Sequence, residues 1–196
     1  VPERLRRIAA GSLALAAVAV CCAGAAPQAG PAKSTDAACA RTADKALRGE
    51  PQTFARIFSG DAWNGWLVAD RAMLQRIKVD PNIYSEVAKA WYVDDRIGIV
   101  DIATRSLEFR ADASYCYRAG GSLARVMETS SGGNTIDDET RYLDATGRVV
   151  ERQSRFSNIY PRPGQTMSPD LRPSTPSLYL TVRELPFYEL ITATAP

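Results

Sequence analysis

The segment Glu108-Phe109-Arg110-Ala111-Asp112-Ala113-Ser114-Tyr115-Cys116-Tyr117-Arg118 decides how this chain is read. Phe109, Ala111, Ala113, Tyr115 and Tyr117 alternate strictly with Arg110, Asp112, Ser114, Cys116 and Arg118. A two-residue period puts the first set on one face of a strand and the second set on the other. Cys116 is therefore expected on the polar face.

Working outward, three related units begin at Trp91, Tyr117 and Leu143, each 26 residues after the last: Trp91-Tyr92-Val93-Asp94-Asp95-Arg96-Ile97, Tyr117-Arg118-Ala119-Gly120-Gly121-Ser122-Leu123 and Leu143-Asp144-Ala145-Thr146-Gly147-Arg148-Val149. Each sets a large apolar residue before a Gly- or Asp-rich turn and a branched apolar residue after it, which is hairpin chemistry. Three hairpins predict a meander of about six strands over 91–158. Tyr142 to Val149 resembles the tyrosine-aspartate hairpin repeats of large bacterial surface proteins, a likeness of eight residues that implies a hairpin and no function. Ser130 to Asn134 reads as a polar connection. Asp137-Asp138-Glu139 reads as a solvated turn, because it lacks the alternating oxygen ligands of a calcium loop.

Upstream of Trp91 the apolar residues recur at three- and four-residue steps, so 36–90 reads as helical. Asp36 is the expected N-cap of a first helix running to Arg48, stopped by Gly49 and Pro51. Pro51 opens a second with Phe54, Ile57 and Phe58 on one stripe. Ala62 to Ile77 makes a third, with Asp70 inside the stripe of Trp63, Trp66, Leu67, Met73 and Leu74. Asp80-Pro81 begins a fourth through Ile83 and Val87, ending near Ala90. Downstream, the prolines between 161 and 176 predict a wrap over 159–177. Leu178, Tyr179, Leu180, Leu185, Phe187 and Leu190 predict a segment over 178–196 that returns to pack, with Thr181 to Glu184 capping one helical turn.

The N-terminus carries Arg4, Arg6 and Arg7, an apolar run from Ile8 to Val20, and small residues from Ala23 to Ala26. That order is the signature of a secretory signal peptide over 1–25, with export to the periplasm or the medium. The alternatives are a retained anchor and a lipoprotein signal ending at Cys21 or Cys22, the latter being the one membrane attachment expected. Residues 26–35 read as a flexible linker. Removing 1–25 takes away three Arg and one Glu and leaves the rest formally neutral, so no bulk attraction to nucleic acid is expected. Cys39 and Cys116 then remain, and an exported chain with two cysteines most simply forms one disulfide. Such a bond requires the helix carrying Cys39 to lie across the polar face of the strand carrying Cys116.

The fold class is thus α+β: N-terminal helices followed by an antiparallel β-hairpin meander of about six strands, with one disulfide, in a single domain over 36–196. The chain has no His, which excludes His-dependent triads and imidazole metal sites, and neither a metal nor a cofactor is expected. Asp70, Asp94, Asp95 and Glu108 are the acid/base candidates, but no motif of required spacing joins them, so no catalytic residue is assigned. The expectation is a non-catalytic binding module whose partner is a protein, a glycan or an apolar ligand, with Trp91, Tyr115, Tyr117, Arg118 and Tyr142 as candidate binding residues on a sheet face. Helices followed by a curved sheet are similar in layout to cone-shaped domains and to periplasmic lipoprotein carriers, which implies a carrier of an apolar ligand as the alternative. A carboxylate-based hydrolase is the third reading.

Overall fold

The computed structural model describes residues 30–80, 82–158 and 177–194. The expected signal peptide, Cys21, Cys22 and nearly all of the proline-rich wrap lie outside the described residues. In chain order the elements are α1 (Pro31–Ala46), β1 (Gln52–Ser59), β2 (Ala62–Trp63), β3 (Leu67–Val68), α2 (Arg71–Val79), β4 (Ser85–Val93), β5 (Arg96–Arg105), β6 (Phe109–Tyr117), β7 (Leu123–Gly132), β8 (Thr135–Leu143), β9 (Val149–Asn158), a 3-10 turn (Val182–Glu184) and α3 (Tyr188–Thr194). The strands form one antiparallel sheet in the order β2-β1-β4-β5-β6-β7-β8-β9, with β3 also paired to β1.

Six of these strands, β4 to β9, are the meander that the three hairpin units predict. Their turns lie at one end of the sheet. Asp94 and Asp95 both take positive φ, 50° and 59°, the backbone of a two-residue hairpin turn that follows strand twist. Gly121 and Gly147 supply positive φ in the other two turns. The 26-residue period runs deeper than the turns. Register shifts fall at Trp91/Tyr92, Cys116/Tyr117 and Tyr142/Leu143, leaving Gly98, Ala124 and Val150 as the extra residue on the returning strand of each hairpin. One β-bulge per hairpin bends and twists the sheet at regular intervals.

Register fixes two faces. On the helix face, Val87, Lys89 and Trp91 of β4 lie beside Ala103, Asp101 and Ile99 of β5, and the last two lie beside Ser114 and Cys116 of β6. Helix α1 crosses this face, where Cys39 and Ala46 pack on Trp91, Ile99, Cys116 and Ala124. The Cys39–Cys116 disulfide fastens it, with Cα atoms 5.9 Å apart. This is the crossing the alternation around Cys116 requires. Helix α2 covers the other end of the same face, Ile77 and Met73 packing on Ala55, Ile57 and Val87.

The opposite, tail face holds the larger core: Phe54, Val100, Tyr115, Tyr117, Val126 and Leu143 beneath Leu185, Phe187 and Ile191 of the C-terminal segment. Phe187 stacks on Phe54 with ring centroids 4.7 Å apart. The expected single turn is present at Val182–Glu184, where Glu184 accepts from the Leu180 N–H and the Thr181 hydroxyl.

The helical reading of 36–90 needs correction. The segment expected as the second helix instead holds β1 (Gln52–Ser59), and both its faces are covered, so Phe54 and Ala55 are fully buried side by side and no alternation is visible. Residues 62–68 form two short strands against β1, and α2 begins only at Arg71, with Asp70 outside it as the N-cap accepting from the Met73 N–H at 2.7 Å. Asp80 ends α2 rather than starting a fourth helix. Val87 and Trp91 share a face in β4 because a four-residue step is even, and so repeats in a strand as well as in a helix. Helix α1 starts at Pro31, inside the expected linker, which puts Asp36 within the helix rather than at its cap. Asp137-Asp138-Glu139 is strand β8, not a turn.

Candidate functional site

Between α1 and α2 a strip of the helix face stays uncovered, leaving a groove of about 630 Å³. Leu74 and Ile77 of α2 form one wall and Trp91, at the foot of α1, closes one end; Val87 and Ala103 supply apolar floor. A polar row crosses that floor, because Lys89, Asp101 and Ser114 are direct neighbours on β4, β5 and β6. Burial pushes the Asp101 carboxyl up from its ordinary value, against the Ser114 hydroxyl and the Lys89 ammonium, which pull it down. The groove therefore joins an apolar wall to a short set of hydrogen-bonding groups, and its size lies within the range of small-molecule sites.

The five residues expected to bind are not gathered in one place. Trp91 and Tyr142 face the α1 side, whereas Tyr115 and Tyr117 face the tail. Tyr115 and Tyr117 are 2% exposed, and their hydroxyls donate to the Ser177 and Tyr179 carbonyls at 3.1 and 3.2 Å, so they anchor the C-terminal segment. Burial raises both phenols well above the usual tyrosine range. Arg118 donates to the Leu123 and Leu143 carbonyls and ties the β6–β7 turn to β8. Tyr142 donates to Asp36, which also accepts from Arg125 at 2.6 Å, so that pair docks α1. Of the five, only Trp91 lines the groove.

The acid/base candidates are equally dispersed. Asp94 and Asp95 sit in an exposed turn, Glu108 lies in the β5–β6 turn, and Asp70 caps α2. Two other carboxylates, Glu86 and Glu128, do share a cleft on the tail face. They stand on β4 and β7, three strand spacings apart, a backbone separation of roughly 14 Å, and Glu86 is bound by Arg56 Nε at 2.6 Å. That is not a paired acid and base.

Sequence reasoning missed Lys89, Asp101 and Ser114. Asp101 carries a usable signal, a single charge inside the apolar run Ile97 to Ala103. Its neighbours follow only from register. Among the described residues no group of three or more His, Cys, Asp or Glu could hold a metal ion, and no helix is long and apolar enough to cross a membrane. The chain matches no protein-family model, no curated protein and no solved structure.

Proposed function

We propose that this is an exported, non-catalytic binding module that takes a small amphipathic molecule into the groove between α1 and α2. The observation that carries the reading is the groove's pairing of apolar surface, Leu74, Ile77, Val87, Trp91 and Ala103, with a polar row of Lys89, Asp101 and Ser114, to which Lys78, Arg105 and Asp112 add further charges. A ligand with an apolar body buries against the wall while its polar group exchanges water for the Asp101–Ser114 pair. A wholly apolar cargo suits this site less well, since it would strip water from that row without replacing the hydrogen bonds. Export is supported by the order of charge, apolar run and small residues before Ala26, and the disulfide is compatible with it.

Titration with N-phenyl-1-naphthylamine, a neutral dye with an aromatic body for the apolar wall and one amine N–H that can donate to Asp101, tests the site. Saturable one-to-one binding is expected, weakened about ten-fold or more by Ala103→Trp, which fills the groove rather than emptying it. Exposed Leu107, 71% accessible, gives the control, and Leu107→Ala should bind as the parent does. Equal dye affinity in Ala103→Trp would remove the groove from consideration. Native and denatured mass of protein from its own producing cells reports processing near Ala26 and any retained ligand together.

A further inference from the structure

The tail face carries a second cavity, of about 220 Å³, beyond the edge of the C-terminal segment. Its walls include the rings of Tyr84, Phe109, Tyr115 and Tyr179, with Glu86 on one side and Glu128 on the other. Room exists there because β6 places alanines, Ala111 and Ala113, between Phe109 and Tyr115 on this face.

The two carboxylates are not equivalent. Glu86 accepts from Arg56 Nε at 2.6 Å and from the Thr104 hydroxyl at 3.4 Å. Arg56 is itself held over the Trp63 and Trp66 rings, 4.4 and 5.1 Å from their centroids, so its charge is committed. Glu128 has no ion pair or hydrogen bond with another described residue. The guanidinium acting on it from the neighbouring strand, that of Arg141, is bound to Glu139, which also holds Arg152 at 2.6 Å; Asp137 adds a further negative charge on the same strand face. Among Arg56, Glu86, Glu128, Asp137, Glu139, Arg141 and Arg152, carboxylates outnumber guanidiniums by one. The cavity therefore combines aromatic surface with a carboxylate that makes no ion pair among the described residues; Arg141, whose Nε is bound to Glu139 and one of whose terminal nitrogens has no hydrogen-bond partner, acts on it without pairing to it.

We propose that this cavity binds a small organic cation of the alkylammonium class, its charge set against Glu128 and its alkyl groups against the rings of Tyr84, Phe109 and Tyr179. Aromatic rings attract a cation through their negative faces, and the attraction strengthens as water is excluded. A bare divalent metal is a poorer match, since it needs several converging oxygen ligands rather than ring faces. The volume is that of roughly seven water molecules, enough for a cation of about seven heavy atoms. The site lies on the opposite face from the groove and does not depend on the function proposed for it.

Choline and its uncharged isostere 3,3-dimethylbutan-1-ol, titrated calorimetrically into the full folded chain, test the proposal. Choline should bind saturably at one site, and the isostere at least about ten-fold more weakly. Glu128→Gln and Tyr179→Leu should each weaken choline by a similar factor, while Asp138→Asn, on the helix face, and Ala103→Trp should leave it unchanged. Choline affinity in the parent should fall between pH 8 and pH 6 as Glu128, whose carboxyl is raised to about 7 by burial, takes up its proton. The Glu128→Gln protein should lose that slope. Absence of choline binding, equal binding of the isostere, or unchanged affinity in Glu128→Gln would each overturn the assignment.

Discussion

Glu128 is also where a single proton reaches global stability. Burial raises its carboxyl from 4.5 to about 7, with Arg141 pulling it down and Glu139 and Asp137 pushing it further up. Between those values the folded chain keeps a proton that the unfolded chain has released, so stability falls as pH rises through the window and levels off above it. The carboxyl is partly exposed and partly screened, so the loss from pH 5 to pH 8 should be on the order of 1 kcal/mol. Denaturant melts at the two pH values should show a smaller decline in Glu128→Gln than in the parent, the remainder including Asp101, whose carboxyl burial also raises. Gly98 acts at the same scale through sterics. A Cβ there would stand 2.9 Å from Thr42 Cγ2 of α1 and 2.9 Å from Val93 Cγ2. Gly98→Ala should therefore cost about 1–3 kcal/mol, while Gly120→Ala, with open space around it, should cost little. Nothing in the run Ile97-Gly98-Ile99 announces that role, because the helix that presses on Gly98 lies more than fifty residues upstream.

At the scale of elements, the disulfide and the helix it fastens make one unit. Cys39 and Cys116 are 77 residues apart, and on the chain-entropy model closing that loop stabilises the fold by about 4.5 kcal/mol. The double variant Cys39→Ser/Cys116→Ser should lower the melting temperature by several degrees and speed amide exchange in 31–46 before exchange in β5 and β6. Unchanged exchange in 31–46 would mean that burial and the Asp36 contacts to Arg125 and Tyr142 suffice to hold α1. Both the meander and the crossing were legible in the sequence, because turn chemistry and strict alternation are local signals, and Cys116 belongs to the alternating set. Strands β1 to β3 and the Ser85–Ala90 part of β4 were not, since β1 is buried on both faces and the spacing of Val87 and Trp91 satisfies either periodicity. The groove was legible only in Trp91. Its polar floor comes from register between three strands, which no single stretch of sequence encodes.

For the molecule as a whole, the sheet separates two packing regions: α1 and α2 on one face, the C-terminal segment on the other. Phe187→Ala, which removes a ring 1% exposed and stacked on Phe54, should cost about 3–5 kcal/mol by chemical denaturation. Combined with Cys39→Ser/Cys116→Ser, its effect should add to within about 0.5 kcal/mol, because the disulfide and the Phe187 ring belong to separate core clusters on opposite faces of the sheet. A larger discrepancy would mean that the sheet transmits strain between its faces. The long span between Cys39 and Cys116 also sets a schedule for synthesis. A chain growing from its N-terminus completes α1 while the strand that will receive it is still unmade, and every strand through β6 must follow before the helix has its seat. The hairpins, by contrast, close on their nearest neighbours as they emerge. The first helix made is thus among the last elements that can be secured, and until then Cys39 remains a free thiol that a wrong partner can reach.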